Sequence, residues 1–571
     1  MIVLGFSVGK DRGAVIIKDS KVIIGISEER LSRFKHDRDV GYDNVDELPI
    51  NSIDYCLNHV NLTYNDIDLY TYTTTLVEET MEQQFIDITG VSADKLNFIP
   101  HHLAHAYSTF YSSGFEDAIV VVADGMGSML SPKGKLRDWY TGSTDSLEDD
   151  YMLAEAYAVY NFDSNPNTCT ETYKKWQLYP MDTADNMLAK AFEGQGVSIG
   201  YAYGRGAMQL IYDPDTNSWP AGKLMGLASY ADKDFVKKEP KDFHFTDTDM
   251  VIPNKLLYPE ISHESDFQVK ADVAGLYQRN QQEYSIQLAK IGKKLGKSKN
   301  VCFAGGSFLN CNTNELMLKS GMFEKYYFIP SADDSGTPLG CAYYANFKLN
   351  GKIKHKNKQL NPYLGKKYTE EEIYNTIKHY RLNYKKFEKF EDIVDITAEM
   401  LRNNKVVGWM QDGSETGPRA LGNRSILASP KEGWMTNYIN SEIKFREWYR
   451  PFAPSVLYEH QSEVFNLTEY SPYMLITTTV KDEWISKIPA VTHFDKTSRL
   501  QSVSKKDNLK YHQLITAFYE QTGIPLVLNT SFNGPHEPIV ETPEDAINTF
   551  IKQNLYCVII NNFLITKNTT L

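Results

Sequence analysis

Apolar, β-branched runs at 1–7, 13–18 and 22–27 are separated by polar turns at Lys10-Asp11-Arg12 and Asp19-Ser20. Short runs bounded by turn residues predict a β-meander. The run AIVVVADGMG at 118–127 predicts a buried strand that ends in an acid and a glycine turn. A third unit lies at 300–310, where VCFAGG leads into SFLN and then into an amphipathic helix over 313–320. Strand ends that pass into glycine turns are where α/β folds offer backbone N–H groups to phosphates. Three of them imply a cleft between two lobes.

Residues 350–367, NGKIKHKNKQLNPYLGKK, are rich in Lys and Asn and poor in apolar side chains, which predicts a linker. Beyond it, strands at 406–410 and 526–528 and helices at 370–379 and 511–520 predict a second α/β domain. The length of 571 residues agrees, since it exceeds one compact core. A formal charge of −13 argues against a broad grip on nucleic acid but leaves room for a local basic groove. The six cysteines contain no CxxC pair, which fits free thiols in a reducing cytoplasm. The opening MIVLGFSVG lacks the basic flank of a signal peptide, and no apolar run is long enough for a membrane span, so a soluble cytoplasmic protein is expected.

Two clusters carry candidate chemistry. His101 and His105 are spaced i, i+4, which puts both imidazoles on one helical face where they can share a metal. Asp124 ends the next strand and Asp334 sits in SADDSGTPLG; two histidines and two carboxylates suit a divalent transition metal with open positions. The second cluster, residues 415–455, gathers Arg419, Arg424, Lys444, Arg446 and Arg450 around Gly417, Pro418 and Gly422, with Trp448 and Phe452 interleaved. Arg forks and a Lys point charge on bent backbone suit an oxyanion such as a phosphorylated metabolite.

These segments also carry a resemblance. GPRALGNRS at 417–425, IKFRE with YRPFAPS within 443–455, Arg499 in TSRLQSV and LNTSFN at 528–533 resemble the O-carbamoyltransferases that decorate antibiotics and nodulation factors. EERLSRFKHD, HHLAH, DGMGS, GKLMGLASY, AGGSFLN and DDSGTPLG match the same family, in order along the chain. The resemblance implies an α/β protein with two parts. An N-terminal actin-like (ribonuclease-H-type, TsaD-like) two-lobed domain would span 1–355, and a C-terminal YrdC-like α/β domain 356–571. It implies that carbamoyl phosphate and ATP, with Mg2+, form carbamoyladenylate in the C-terminal domain. The carbamoyl group then passes to a hydroxyl in the N-terminal one.

Carried over residue by residue, Arg419, Lys444, Arg450 and Arg499 look like ligands of the carbamoyl phosphate and nucleotide phosphates. Asn529 and Ser531 would hydrogen-bond the carbamoyl group or adenylate, and Arg424 would either join them or brace the loop. His101, His105, Asp124 and Asp334 fall on the family's metal motif, with iron the metal implied, and His102 is expected to point elsewhere. Gly125, Gly127, Gly305, Gly306 and Asn310 are expected to hold an adenine nucleotide. Lys35 and His36 look like contacts near the transfer site, with a structural role as the other reading. A homodimer is expected.

The chain departs from the family pattern twice. Carbamoyl transfer to an alcohol needs a group to take the hydroxyl proton, and where the family often shows His-Asp in the first turn this chain has Lys10-Asp11. A lysine there would more naturally bind an anion, unless desolvation lowered its pKa. The second departure is His536, in GPHEPIV, where the family commonly has glycine; it reshapes the loop or offers an imidazole. The expected acceptor is a small-molecule hydroxyl or a hydroxymethylated pyrimidine such as 5-hydroxymethylcytosine, the latter within DNA. The competing readings are a non-catalytic nucleotide-binding regulator and a tRNA threonylcarbamoyl-transfer enzyme.

Overall fold

The expected meander forms as β1 (Ile2–Val8), β2 (Gly13–Lys18) and β3 (Lys21–Ser27). It belongs to a computed structural model that describes residues 1–37, 48–75, 81–130, 151–164, 167–180, 197–211, 219–241, 243–253, 256–351 and 358–567. Met1–Ser32 with His36–Leu360 form one compact unit, and Arg33–Lys35 with Asn361–Leu571 form the other.

In the first unit β4 (Leu69–Thr74) and β5 (Leu96–Phe98) extend the meander in parallel, giving the order β3-β2-β1-β4-β5. Phe6 stacks on Tyr72 at 5.5 Å and on Phe85 at 5.0 Å in a core on this sheet.

A second sheet repeats the pattern. It contains β6 (Ala118–Ala123), β7 (Met129–Leu130), β8 (Tyr151–Ser164) and β9 (Asn167–Pro180). After a small hairpin, β10 (His244–Phe245) with β11 (Met250–Val251), it is completed by β12 (Asn300–Ala304) and β13 (Lys325–Phe328). Across it the order is β9-β8-β6-β12-β13, antiparallel through β9, β8 and β6 and parallel through β6, β12 and β13, with β7 also on β8. Two sheets of one order in one unit are the actin-like, ribonuclease-H-type architecture that the sequence led us to expect.

Residues 313–320 lie largely within a helix that starts earlier, Cys311–Lys319, because Asn310 caps it by accepting from the Thr313 N–H. The Thr337–Asn350 helix packs on β1 and on the His101–Ser113 helix. Gly340 permits that approach: a Cβ there would sit 1.8 Å from the Ala104 carbonyl oxygen.

The second unit holds a nine-stranded sheet built from β14 (Asn383–Lys386), β15 (Val407–Met410), β16 (Arg424–Ala428), β17 (Ala453–Leu457), β18 (Ile476–Thr479), β19 (Thr497–Val503), β20 (Leu526–Ser531), β21 (Cys557–Ile560) and β22 (Phe563–Thr566). Its order is β14-β22-β21-β15-β16-β20-β17-β19-β18. The expected helices appear as Glu370–Tyr380, opened by a Thr369/Glu372 capping box, and Leu509–Thr522. Arg33 belongs here because its guanidinium donates to the Pro538 and Ile539 carbonyls, at 2.9 Å each, and lies 3.4 Å from Asp545.

The expected linker is shorter than its composition suggested. Residues 352–357 lie outside the described residues, but Leu360 N–H donates to Ser112 O at 2.9 Å and Gly365 N–H to Ser414 O at 3.0 Å. Those bonds make the later part folded chain. All six cysteines are free thiols. Among the described residues no helix is long and apolar enough to cross a membrane.

Candidate functional site

Three elements of the first unit bring four ligand-bearing side chains together. The His101–Ser113 helix stacks His101 and His105 one turn apart, their Nε2 atoms 3.1 Å from each other. Asp124 leaves the end of β6, and Asp334 opens the turn before the Thr337–Asn350 helix. His101 Nε2 lies 3.4 Å from Asp124 Oδ2 and 3.3 Å from Asp334 Oδ1; His105 Nε2 lies 3.9 and 3.7 Å from the same oxygens. The four donor atoms fall within 4.8 Å of one another. Burial opposes charge on His101, but the Asp334 and Asp124 carboxylates outweigh it and push the imidazole up to about 10. Asp124 is held well below the carboxylate range, its burial offset by the two histidines and the Gly306 N–H. Two nitrogens and two anionic oxygens converging in a buried spot fit a divalent cation of borderline hardness.

The AGG loop aims one of those ligands. Gly306 N–H donates to Asp124 Oδ1 at 2.8 Å, leaving Oδ2 toward the histidines. Gly305 has φ 94°, and a Cβ on it would lie 2.2 Å from Ala123 O, so only glycine fits. A cavity of about 500 Å³ in the same unit is lined by Tyr203, Tyr277, Arg279 and Gln281 among others. Gln281 Nε2 donates to Ser307 O at 3.2 Å.

A His–Asp pair forms in the same unit. His36 Nδ1 lies 2.6 Å from Asp11 Oδ1, and the His36 N–H donates to Glu29 Oε2 at 3.0 Å. Asp11 (φ 54°) and His36 (φ 60°) both hold left-handed backbone, a strain that concentrates at functional sites. Lys10 Nζ stands 4.0 Å from Asp11 Oδ2 and is half exposed. Asp333 feels both this pair and the histidine cluster: burial, Asp11 and then Asp334 push its carboxyl up to about 7.

In the second unit, cations converge on a one-turn π-helix, Ile439–Ile443. Lys444, 6% exposed, donates from Nζ to Ser531 O (2.5 Å), Asn533 Oδ1 (2.6 Å) and Asn533 O (3.0 Å). Burial, then Arg446, Lys35 and Arg450, push its ammonium well below the ordinary lysine range. Arg446 lies over the Phe452 ring at 4.6 Å and donates to Asn440 Oδ1 at 2.7 Å. Its guanidinium is lowered by burial, then by Arg450 and Arg499. Cations that repel one another in this way suit an anion between them.

The family description "Carbamoyltransferase N-terminus" matches residues 3–89 and 70–343, and "Carbamoyltransferase C-terminus" matches residues 398–567. The chain belongs to the carbamoyltransferase family. Nodulation protein NolNO of Sinorhizobium fredii is 30% identical over 98% of this chain and 79% of its own length. Nodulation protein NolO of Bradyrhizobium diazoefficiens is 30% identical over 82% of this chain and 78% of its own. Among solved structures, T. kodakarensis HypF covers 63% of this chain and 49% of that one, at 14% identity and a TM-score of 0.36. That likeness is too slight to add to the topology. The protein is therefore a carbamoyl-transferring enzyme.

Within this carbamoyltransferase the expected site residues divide. Arg424 is fully buried and donates from Nε and Nη1 to the Gln411, Asp412, Asn423 and Glu541 carbonyls, bonds that brace the loop, while its buried Nη2 has no hydrogen-bond partner among the described residues. Asn529 Nδ2 donates to Ala420 O at 3.0 Å and Ser455 Oγ at 2.9 Å, next to Arg419, while its buried Oδ1 has no hydrogen-bond partner among the described residues. Ser531 Oγ donates to Asn533 Oδ1 at 2.7 Å.

Lys35 and His36 part company: His36 joins Asp11, whereas Lys35 lies with the second unit and acts electrostatically on Lys444. Several expected nucleotide contacts have protein partners. Gly125 O accepts from Ser198 Oγ at 2.5 Å, Gly127 N–H donates to Glu155 O at 2.9 Å, and Asn310 exchanges amide bonds with Gln278.

His102 does point elsewhere, its N–H donating to Glu155 and its ring pushed down to about 3 by burial. Arg446, Asn533 and Glu29 join these clusters beside the residues carried over from the resemblance. Arg446 stood in the basic run, but nothing in the run ranked it above Arg424.

Proposed function

We propose that this enzyme is an ATP-dependent O-carbamoyltransferase that activates carbamoyl phosphate in the second unit and transfers the carbamoyl group to a hydroxyl in the first. The observation that carries this reading is Lys444, bonded to Ser531 and Asn533 at the β20 end, with Arg446 and Arg450 in electrostatic reach of it and Arg499 in reach of Arg446. Water releases inorganic phosphate from carbamoyl phosphate. The resulting carbamate oxygen attacks the α-phosphorus of ATP, and pyrophosphate leaves carbamoyladenylate. Fixed cations suit both leaving anions, and the open Asn529 Oδ1 suits the carbamoyl NH2.

For the second step, the acceptor oxygen attacks the carbamoyl carbon and AMP departs. His36, oriented by Asp11, takes the hydroxyl proton at its other ring nitrogen, Nε2, in place of a histidine at position 10. His101, His105, Asp124 and Asp334 would hold a divalent metal, iron by resemblance, which when bound polarises ligand oxygens. The cavity lined by Tyr203, Tyr277 and Gln281 is of a size for a nucleoside. Lys10, half exposed beside Asp11, favours an acceptor that carries phosphate, such as a hydroxymethylated pyrimidine nucleotide or the same base in DNA.

The test supplies ATP, Mg2+ and labelled carbamoyl phosphate and follows pyrophosphate. It then adds sugars, aminoglycosides, hydroxymethylcytidine monophosphate and hydroxymethylcytosine DNA. Pyrophosphate release with label on one acceptor is expected. Nucleotide binding without pyrophosphate would favour the regulator, and label on tRNA alone would favour threonylcarbamoyl transfer.

A further inference from the structure

The helix that carries His101 and His105 lacks a cap of its own. Pro100 stands at its N-cap with no side-chain hydrogen bond to the first turn. The first N–H groups of a helix need acceptors, and a buried end without them is costly. Here the acceptors come from elsewhere in the chain. His101 N–H donates to Ser128 Oγ at 3.0 Å, and His102 N–H donates to Glu155 Oε2 at 3.1 Å. Ser128 N–H donates to the same carboxylate oxygen at 3.0 Å, and Ser128 Oγ donates to Thr74 O at 2.7 Å. Glu155 is fully buried, and Lys174 Nζ lies 2.7 Å from its Oε1.

Glu155 lies on β8, and β8 is hydrogen-bonded to β6, the strand whose end carries Asp124. Lys174 comes from β9, the next strand across. The carboxylate therefore ties the element bearing two of the ligands to the sheet bearing the third. Gly127 leaves room for it, since a Cβ there would lie 2.6 Å from Glu155 Oε2. A carboxylate on helix N-terminal amides is favourable, and its buried charge is matched by the lysine.

We propose that Glu155, neutralised by Lys174 and assisted by Ser128, is a positioning residue for the metal centre: it sets the rotation of the His101–Ser113 helix against β6. The inference rests on reading the His101/His105/Asp124/Asp334 cluster as a metal site. Groups that support a metal's ligands change affinity about 10–100-fold when altered; Ser128 bonds the backbone of His101, and Glu155 acts through Ser128 and the neighbouring His102 N–H.

The test is a cobalt(II) titration of the full-length protein stripped of metal, read by its visible d–d absorption and by competition with a chelating dye, beside the thermal midpoint of the stripped protein. Glu155→Gln is expected to weaken cobalt binding about 10–100-fold and to shift the d–d band. If it lowers the thermal midpoint but leaves affinity and band unchanged, the pair is only structural and the proposal falls. Should Glu155→Gln fail to fold, Ser128→Ala decides, because it removes a single hydroxyl. A severalfold loss of affinity supports the proposal, and an unchanged affinity overturns it. A parent protein that binds no cobalt would instead remove the metal reading and this inference with it.

Discussion

His36 Nδ1 lies 2.6 Å from Asp11 Oδ1, so a His–Asp dyad exists although position 10 is lysine. The imidazole comes from the turn after β3 instead of from the turn after β1. Replacing His36 by Gln should lower carbamoyl transfer about 10²–10⁴-fold while pyrophosphate release from ATP and carbamoyl phosphate stays at the parent rate. Rapid-quench assays that follow the two half-reactions separately check this. Equal loss in both would mean that His36 is not the base.

Lys10 should matter to binding rather than to proton transfer. Lys10→Ala is expected to raise KM for a phosphate-bearing acceptor with little change in kcat. A comparable rise for a neutral acceptor would argue against anion recognition by its ammonium.

Arg424 and Arg450 should fail in opposite ways. Removing the Arg424 guanidinium takes a donor from four carbonyls, in bonds of which three are buried, which should cost about 3 kcal/mol or more. Calorimetry should show the second unit melting roughly 6–12 °C lower. Arg450→Ala, at a half-exposed position, should keep the melting temperature and lose carbamoyladenylate formation.

Lys444 predicts a pH dependence of anion binding. Burial and neighbouring cations lower its pKa, so as pH rises it loses its proton before an ordinary lysine does, and the site loses one positive charge. Sulfate affinity should fall from neutral pH upward toward the ordinary lysine range. Lys444→Arg should flatten the profile, because guanidinium stays charged. A parent profile as flat as that of the variant would remove Lys444 from the anion site.

His536 holds left-handed backbone, with φ 59°. A left-handed non-glycine residue costs roughly 1–2 kcal/mol, partly offset by the extra unfolded-state freedom that glycine brings. His536→Gly should therefore stabilise the protein by about 0.5–1 kcal/mol in urea titrations. A loss of stability would show that the imidazole holds the loop.

Much of the site was legible because it is local. The i, i+4 spacing of His101 and His105 is a property of any helix, and the strand-to-glycine turns after β6 and β12 follow from their apolar runs. The basic run at 415–455 pointed to clustered cations, but on loops and a short strand no periodicity tells which of them converge. Arg424 starts β16 and faces carbonyls, while Arg446 follows the π-turn and joins Arg450 and Arg499.

The sequence by itself determined the family, the α/β elements, the histidine pair and the chemical character of each cluster, because those depend on residue type and short-range spacing. Only the tertiary structure decided that Asp124 and Asp334 reach the same two imidazoles. It alone placed His36 on Asp11 with Lys35 in the other unit, and Glu155 under the helix that bears the ligands. Those relationships join residues far apart in the chain or turn on single left-handed residues such as His36. They arise from sheet order and close packing, which no local pattern encodes.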